Sequence, residues 1–272
     1  MQQHLIAIDL DGTTLNDQSQ VSPLTIKTLR ALRDQGHLVC IVTGRPYRNS
    51  KEIYQQIGID SPIVNFNGAL LHHPKYPSFI PSYHLTLDRE IAFSIFAKQE
   101  ELGIDLLCAE GRDTLYSTSL SLPDSPFYPV DQARVERLSR ESLSYNPTAL
   151  TIFSAEEKLP FIEAKINEHY GDQVYVRTWG GALPCLEVVN KAINKAVGVQ
   201  AVADFYHIPR EKILAFGDEN NDLEMLEYAG LGVAMLNGTQ EVKEVANDIT
   251  AKTNNEDGLA DYLIHYFGLQ VD

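Results

Sequence analysis

The sequence predicts an α/β protein: a doubly wound parallel sheet covered by helices, with a large second α/β unit inserted into it. Three observations predict this. Over the first 80 or so residues, short strands apolar on both faces alternate with helical segments, the pattern of a buried parallel sheet. The same alternation returns after Asn194. Between about 83 and 189 the texture changes to several short strands, two helical stretches and a Pro-rich segment at 123–129. The economical topology joins 1–82 and 190–272 into one discontinuous core and sets 83–189 apart as a cap.

Each element has its own local reason. Residues 4–9 are a short apolar strand. A helix follows over 22–36, with Leu24, Ile26, Leu29 and Leu32 along it, Ser22-Pro23 as N-cap and first turn, and Gly36 at its end. Residues 38–42 form the second strand, 46–57 a helix and 62–66 a third strand. In the inserted unit we expect a helix over 88–102 and strands at 104–109, 114–117 and 149–153. A further helix at 159–170 tolerates Pro160 in its first turn. A hairpin of 173–179 and 183–189 turns through Gly180-Gly181. The core then resumes with a helix to Tyr206, strand 212–216, helix 221–229, strand 232–235 and a terminal helix ending at Phe267, where Tyr262, Tyr266 and Phe267 are spaced to pack on the core.

Composition narrows the function. With 22 Lys+Arg against 37 Asp+Glu the net charge is 22 − 37 = −15, which argues against nucleic-acid binding. At 44% hydrophobic and 22% charged, the chain is of ordinary globular composition. The longest apolar run near its start, residues 5–8, is ended by Asp9, and no later run approaches the roughly 20 residues of a membrane span. Cys40, Cys108 and Cys185 are odd in number and far apart, so a reduced, cytoplasmic protein without disulfides or zinc is expected. An acidic protein repels anionic substrates, so a phosphate site here must supply its own cations.

Three segments end strands with polar residues. Asp9-Leu10-Asp11-Gly12-Thr13 puts two carboxylates on one side of a strand end, where an open parallel sheet forms its ligand crevice. A D-G turn alone is common, but D-x-D-G-T matches a given position only about once in 10⁵ from average composition. Val42-Thr43-Gly44-Arg45 brings a hydroxyl and a glycine backbone to the next strand end, and Gly217-Asp218-Glu219-Asn220-Asn221-Asp222 opens a later helix. A turn explains the first of these and N-caps the second if each is taken alone. Lys195 begins the helix that returns from the insertion, where a cation opposes the helix dipole; Lys191 is its rival.

In this order and spacing the four segments resemble the motifs of the haloacid dehalogenase superfamily of phosphatases. More narrowly, the chain is similar to the Cof-type sugar-phosphatase group, which has a Rossmann-like core and a large α/β cap between the second and third motifs. The resemblance includes Asn65–Gly68 and Gly232-Val233-Ala234-Met235 with Asn237, and its pattern selects Lys195 over Lys191. Ala196, where the group more often has glycine, and Thr14, where the superfamily often has leucine, depart from it without removing a functional atom.

The resemblance implies a hydrolase of small phosphomonoesters, most plausibly sugar phosphates, with nucleotide-like or cofactor phosphates behind them. Asp9 is implied as the nucleophile and Asp11 as acid and base, the two carboxylates resisting double ionisation so that Asp11 can hold the proton. Magnesium is the implied cofactor, held by Asp9, the Asp11 carbonyl and Asp218. Thr43, the Leu10 and Gly44 amides, Asn221 and Lys195 are implied to hold the phosphoryl oxygens, and Asp222 to act through a water or to hold Lys195. The cap is expected to close, with hinges near 82–85 and 189–191. Tyr175, Arg177 and Trp179, on one strand face, are candidates to read the leaving group, against ordinary sheet packing. Arg45 is left between substrate and a neighbouring carboxylate. His72-His73 point to opposite sides of a strand and so make a poor metal pair. A monomer or homodimer acting on a small phosphorylated metabolite, without nucleic acid or membrane, is expected. A phosphomutase, or a non-catalytic phosphometabolite-binding regulator, are the alternatives; a regulator is expected to lose Asp9 or Asp11.

Overall fold

The computed structural model describes residues 3–123, 134–179 and 183–271. The chain begins with β1 (Leu5–Ile8), α1 (Pro23–Asp34), β2 (Leu38–Ile41), α2 (Tyr47–Ile57), β3 (Ile63–Asn65), β4 (Leu70–His72) and β5 (Tyr83–His84). It continues with α3 (Arg89–Ala97), α4 (Gln99–Leu102), β6 (Leu106–Glu110), β7 (Thr114–Ser117), β8 (Arg134–Arg137), β9 (Ala149–Phe153), α5 (Leu159–Tyr170), β10 (Val174–Trp179) and β11 (Cys185–Asn190). It closes with α6 (Lys195–Phe205), β12 (Ile213–Gly217), α7 (Leu223–Tyr228), β13 (Leu231–Ala234), α8 (Gln240–Val245), β14 (Asp248–Ile249) and α9 (Gly258–Phe267).

Two compact units result: residues 1–46, 50–83 and 194–272 in the first, and 47–49 with 84–193 in the second. The first is built on a five-stranded parallel sheet in the order β14-β13-β12-β1-β2. All four residues of β1 are fully buried, as strands covered on both faces must be. A parallel bridge from Val42 to Val64 joins β3 to the end of β2. The caps follow the sequence: the Ser22 hydroxyl accepts from the Thr25 amide at 3.0 Å, and the Asn194 side chain accepts from the Val197 amide at 3.0 Å.

The second unit carries a six-stranded sheet, β10-β11-β9-β6-β7-β8, antiparallel except for the parallel pair β7–β8. Leu107, Leu150, Ile152, Leu186 and Val188 on one sheet face pack with Ile91 and Ile95 of α3 and Ile162 and Ile166 of α5. The alternate positions face away; across neighbouring strands they align as Arg177, Glu187, Thr151, Cys108 and Ser117.

Some expectations need correction. The helix expected over 88–102 is two pieces, interrupted at Lys98 (φ −102°, ψ 10°), whose amide bonds back to the Ile95 carbonyl in a tightened turn. Strand 104–109 begins later, at Leu106, and helix 221–229 is the shorter α7. The sequence reading lacks β4, β5, β8, α8 and β14, all short and without a sustained period. Of the terminal aromatics, Tyr262 and Phe267 are half-buried against Phe216 and His4, but Tyr266 is 46% exposed; Leu259, Ala260 and Leu263 provide the buried face of α9. Gly180-Gly181 and most of the Pro-rich segment lie outside the described residues. The three cysteines are buried free thiols, and burial pushes each up to about 12. Among the described residues, no helix is long and apolar enough to cross a membrane.

Candidate active site

The carboxyl ends of β1, β2 and β12 and the start of α6 supply the candidate catalytic, phosphate and metal residues, all in the first unit. Asp9 follows β1 directly and is buried, 6% exposed. Its Oδ1 accepts from Lys195 Nζ at 2.6 Å, and the same ammonium donates to Asp222 Oδ1 at 2.7 Å. Lys195 has no exposed surface, which accounts for a lysine at the first position of a helix: two carboxylates hold it there. Burial alone would lower its pKa, but Asp222 and Asp9 outweigh burial and raise it.

Asp218 stands at the end of β12. Its Oδ1 accepts from the Thr13 hydroxyl at 2.7 Å. Gly12 lies against it at φ +72°, and a Cβ there would come within 2.1 Å of Asp218 Oδ2. Both the left-handed backbone and the missing side chain are therefore required of residue 12, which explains the glycine in the D-x-D-G segment. Asp222 Oδ2 accepts from the Asp218 and Glu219 amides at 3.0 and 3.2 Å, so both of its oxygens are engaged.

Carboxylate oxygens of Asp9, Asp218 and Asp222 lie within 4.8 Å of one another. Three buried carboxylates against one lysine leave a local formal charge of −2. Burial, with the neighbouring carboxylates, raises Asp9 well above the ordinary range and Asp218 to about 7. An all-oxygen donor set of this charge suits a hard divalent cation. Among the described residues, Asp9 Oδ2 and Asp218 Oδ2 are the carboxylate oxygens of the cluster without a hydrogen bond, which favours Asp9 and Asp218 over the saturated Asp222 as its holders. Asn221 Oδ1 is also buried and has no hydrogen-bond partner among the described residues.

Asp11 sits apart from that cluster. Its side chain is 41% exposed, and the Arg45 guanidinium donates to both its oxygens, Nε to Oδ2 at 2.7 Å and Nη2 to Oδ1. Burial resists ionisation of Asp9, while the Arg45 fork engages both oxygens of Asp11. Arg45 thus contacts a carboxylate here.

Thr43 is buried after β2, and its hydroxyl accepts from the Arg45 amide at 3.1 Å. Leu10 is buried within the turn that follows Asp9. Gly44 packs against the Asn67 side chain, and Asn221 Nδ2 donates to Asn67 Oδ1 at 2.9 Å. Sequence reasoning gave roles to neither Asn67 nor Thr13, although both are polar residues just past strand ends. His72 and His73 diverge: His72 meets Asn65 Oδ1 at 3.2 Å, and His73 lies 3.8 Å from Asp60. In the second unit, Tyr175 is 48% exposed and the Arg177 guanidinium lies 5.2 Å from its ring centroid. Trp179 shares their strand face, and Arg177 Nη1 is buried without a hydrogen-bond partner among the described residues.

Comparison with known proteins follows the same lines. A family model described as haloacid dehalogenase-like hydrolase matches residues 6–263. The 5-amino-6-(5-phospho-D-ribitylamino)uracil phosphatase YitU of Bacillus subtilis is 40% identical, covering 98% of each chain. Phosphatase YwpJ of the same organism is 30% identical over 96% of this chain and 99% of its own. Among solved structures, TM0651 from Thermotoga maritima has a TM-score of 0.82 at 26% identity, covering 100% of this chain and 99% of that one. A haloacid dehalogenase-like hydrolase from Bacteroides thetaiotaomicron shares the fold with a TM-score of 0.85 at 23% identity, over 98% and 100% of the two chains.

Proposed function

We propose, from the premise that this chain belongs to the haloacid dehalogenase-like hydrolases and is a phosphoric monoester hydrolase, that it is a magnesium-dependent phosphatase forming an aspartyl-phosphate on Asp9. The observation that carries the reading is the buried group of Asp9, Asp218, Asp222 and Lys195 at the ends of parallel strands. Haloacid dehalogenase hydrolases are generally metal-dependent, and the donor set fits a hard cation.

In this reading Lys195 holds the Asp9 carboxylate through Oδ1, and that carboxylate attacks phosphorus. The new bond joins an Asp9 carboxylate oxygen to phosphorus while the bond to the leaving oxygen breaks, and the leaving oxygen takes a proton from Asp11. A water then attacks the phosphoryl group, gives its proton back to Asp11, and the bond to Asp9 breaks, releasing inorganic phosphate. For Asp11 to pass a proton the Arg45 fork must open, so we assign the described arrangement to the resting enzyme. Thr43, Asn221, Lys195 and the Leu10 and Gly44 amides hold the phosphoryl oxygens as charge develops on them. Magnesium, when bound to Asp9, Asp218 and the Asp11 carbonyl, offsets the phosphate charge.

We assign 84–193 as the cap that selects the leaving group, and a sugar or sugar-alcohol phosphate as the substrate class. The support is the name of the 40%-identical relative, whose substrate is a phosphorylated ribityl compound, and the outward row of polar side chains on the second unit's sheet. Cytoplasmic location belongs to the same proposal. The test is phosphate release from a panel of sugar phosphates, ribityl phosphates, flavin mononucleotide and pyridoxal phosphate, with magnesium or chelator. Turnover confined to magnesium and lost in Asp9→Asn is expected. Release that persists in Asp9→Asn overturns the mechanism, and no release from any ester overturns the function.

A further inference from the structure

The turn after β3 has an uncommon backbone. Phe66, Asn67 and Gly68 follow one another at φ +51°, +54° and +104°, and Phe66 and Asn67 are 2% and 0% exposed. Asn tolerates the left-handed region better than most residues, a buried phenylalanine much less, and two such non-glycine residues in succession need compensation from their surroundings. The contacts of the turn show what that conformation achieves. The Asn67 amide N–H donates to the Thr43 carbonyl at 3.1 Å. Its side chain lies against Gly44 so closely that a Cβ on Gly44 would stand 3.1 Å from Asn67 Oδ1. The same Oδ1 accepts from Asn221 Nδ2 at 2.9 Å. Gly68 presses on the residue before Lys195, where a Cβ would meet the Asn194 carbonyl oxygen at 2.1 Å.

One buried turn therefore touches the segments carrying Thr43, Gly44, Asn221 and Lys195, four of the five positions assigned above to hold phosphate. We propose that Asn67 is a positioning residue of the phosphate site: its side chain fixes the amide plane of Asn221 and backs the Gly44 peptide. The inference rests on the phosphatase reading and adds to it a residue that meets no reacting atom. The side chain of Asn67 serves two ends that can be separated, because residue 67 must be left-handed and must also present an oxygen to Asn221. Glycine satisfies the first and not the second.

The test compares the full chain with Asn67→Gly, Asn67→Asp, Asn221→Ala and the double variant Asn67→Gly/Asn221→Ala. Turnover of 4-nitrophenyl phosphate with magnesium, binding of inorganic phosphate and the urea midpoint are read for each. We expect Asn67→Gly to keep or raise the urea midpoint, to lose about 10- to 100-fold in kcat/KM, and to bind phosphate about 10-fold more weakly, the range for a hydrogen bond that orients a polar group. Asn67→Asp, which keeps an acceptor for Asn221 but adds negative charge, is expected to raise KM more than it lowers kcat. The double variant is expected to be no worse than Asn221→Ala alone. An Asn67→Gly protein within twofold of native in both turnover and phosphate binding overturns the inference, as do fully additive losses in the double variant. Should Asn67→Gly fail to fold, a native-like KM in Asn67→Asp overturns it and a raised KM supports it. Failure of the phosphatase reading would show differently, as a native chain that releases no phosphate; weaker phosphate binding by the variant would still decide the role of Asn67.

Discussion

The two sheets of this protein distribute their polar residues in opposite ways. In the first unit, parallel strands all end at one edge, and Asp9, Thr43 and Asp218 gather there, buried, each within a few residues of a strand end. In the second unit, antiparallel strands run both ways, and the polar positions Arg177, Glu187, Thr151 and Ser117 form a row across the sheet, one from each of four strands. A parallel edge concentrates chemistry into short sequence motifs; an antiparallel face spreads it over some 70 residues. On the proposed function, the first arrangement suits the chemistry at phosphorus and the second suits recognition of the leaving group.

The contrast can be tested in descending order of effect. Asp9→Asn removes the proposed nucleophile and is expected to cost roughly 10³-fold or more in turnover, with a native circular dichroism spectrum. Retained turnover would place the chemistry elsewhere. Lys195→Met leaves Asp9 and Asp222 buried without their cation, and a loss of about 4 kcal/mol in urea unfolding is expected. Ile162→Ala, which opens a cavity under the second sheet, should cost about 3 kcal/mol, with the increase in hydrogen exchange confined to 84–193. If exchange rises equally in both units, they unfold as one. Arg177→Ala is expected to raise KM for sugar phosphates about 5-fold and to leave 4-nitrophenyl phosphate nearly unchanged, the signature of a contact with the leaving group alone.

The smallest effect concerns acid. His84 is exposed, but partial desolvation of its ring, with Arg112, holds its pKa below the ordinary 6.5 while Asp113 opposes. The unfolded chain then takes up its proton before the folded one, so this contribution to stability is complete above about pH 6.5 and is lost, by a small amount, as pH drops below it. A His84→Gln protein should lose that slope in urea midpoints measured between pH 7.5 and 5.5; an unchanged slope assigns it to other groups.

The same contrast governs what could be read from the chain. Asp9, Thr43, Lys195 and Asp218 were legible because strand, turn and helix start lie within a few residues of each. Asp9 and Asp11 also show where such reading stops. Spacing puts them on one side of a strand end, but Gly12 turns the chain, and Arg45, 34 residues from Asp11, decides what that carboxylate meets. Asn67 lies in a segment that carries the resemblance, but the role proposed for it is not legible there, because it depends on φ and on a partner 154 residues away. In the second unit the long strands β9, β10 and β11 announce themselves by alternation, whereas β8 and its parallel partnership with β7 carry no local signal.

The three cysteines have a practical corollary. Buried and pushed up to about 12, their thiols hold almost no thiolate at neutral pH, the form that reacts with electrophiles. Native chain should therefore stay dark to maleimide dyes, while a cysteine installed on an exposed residue of each unit, Tyr266 in one and Phe161 in the other, would accept fluorophores without background. Energy transfer between the two dyes would then report whether the distance between them changes when a phosphate ester is added, with no native thiol to be removed first.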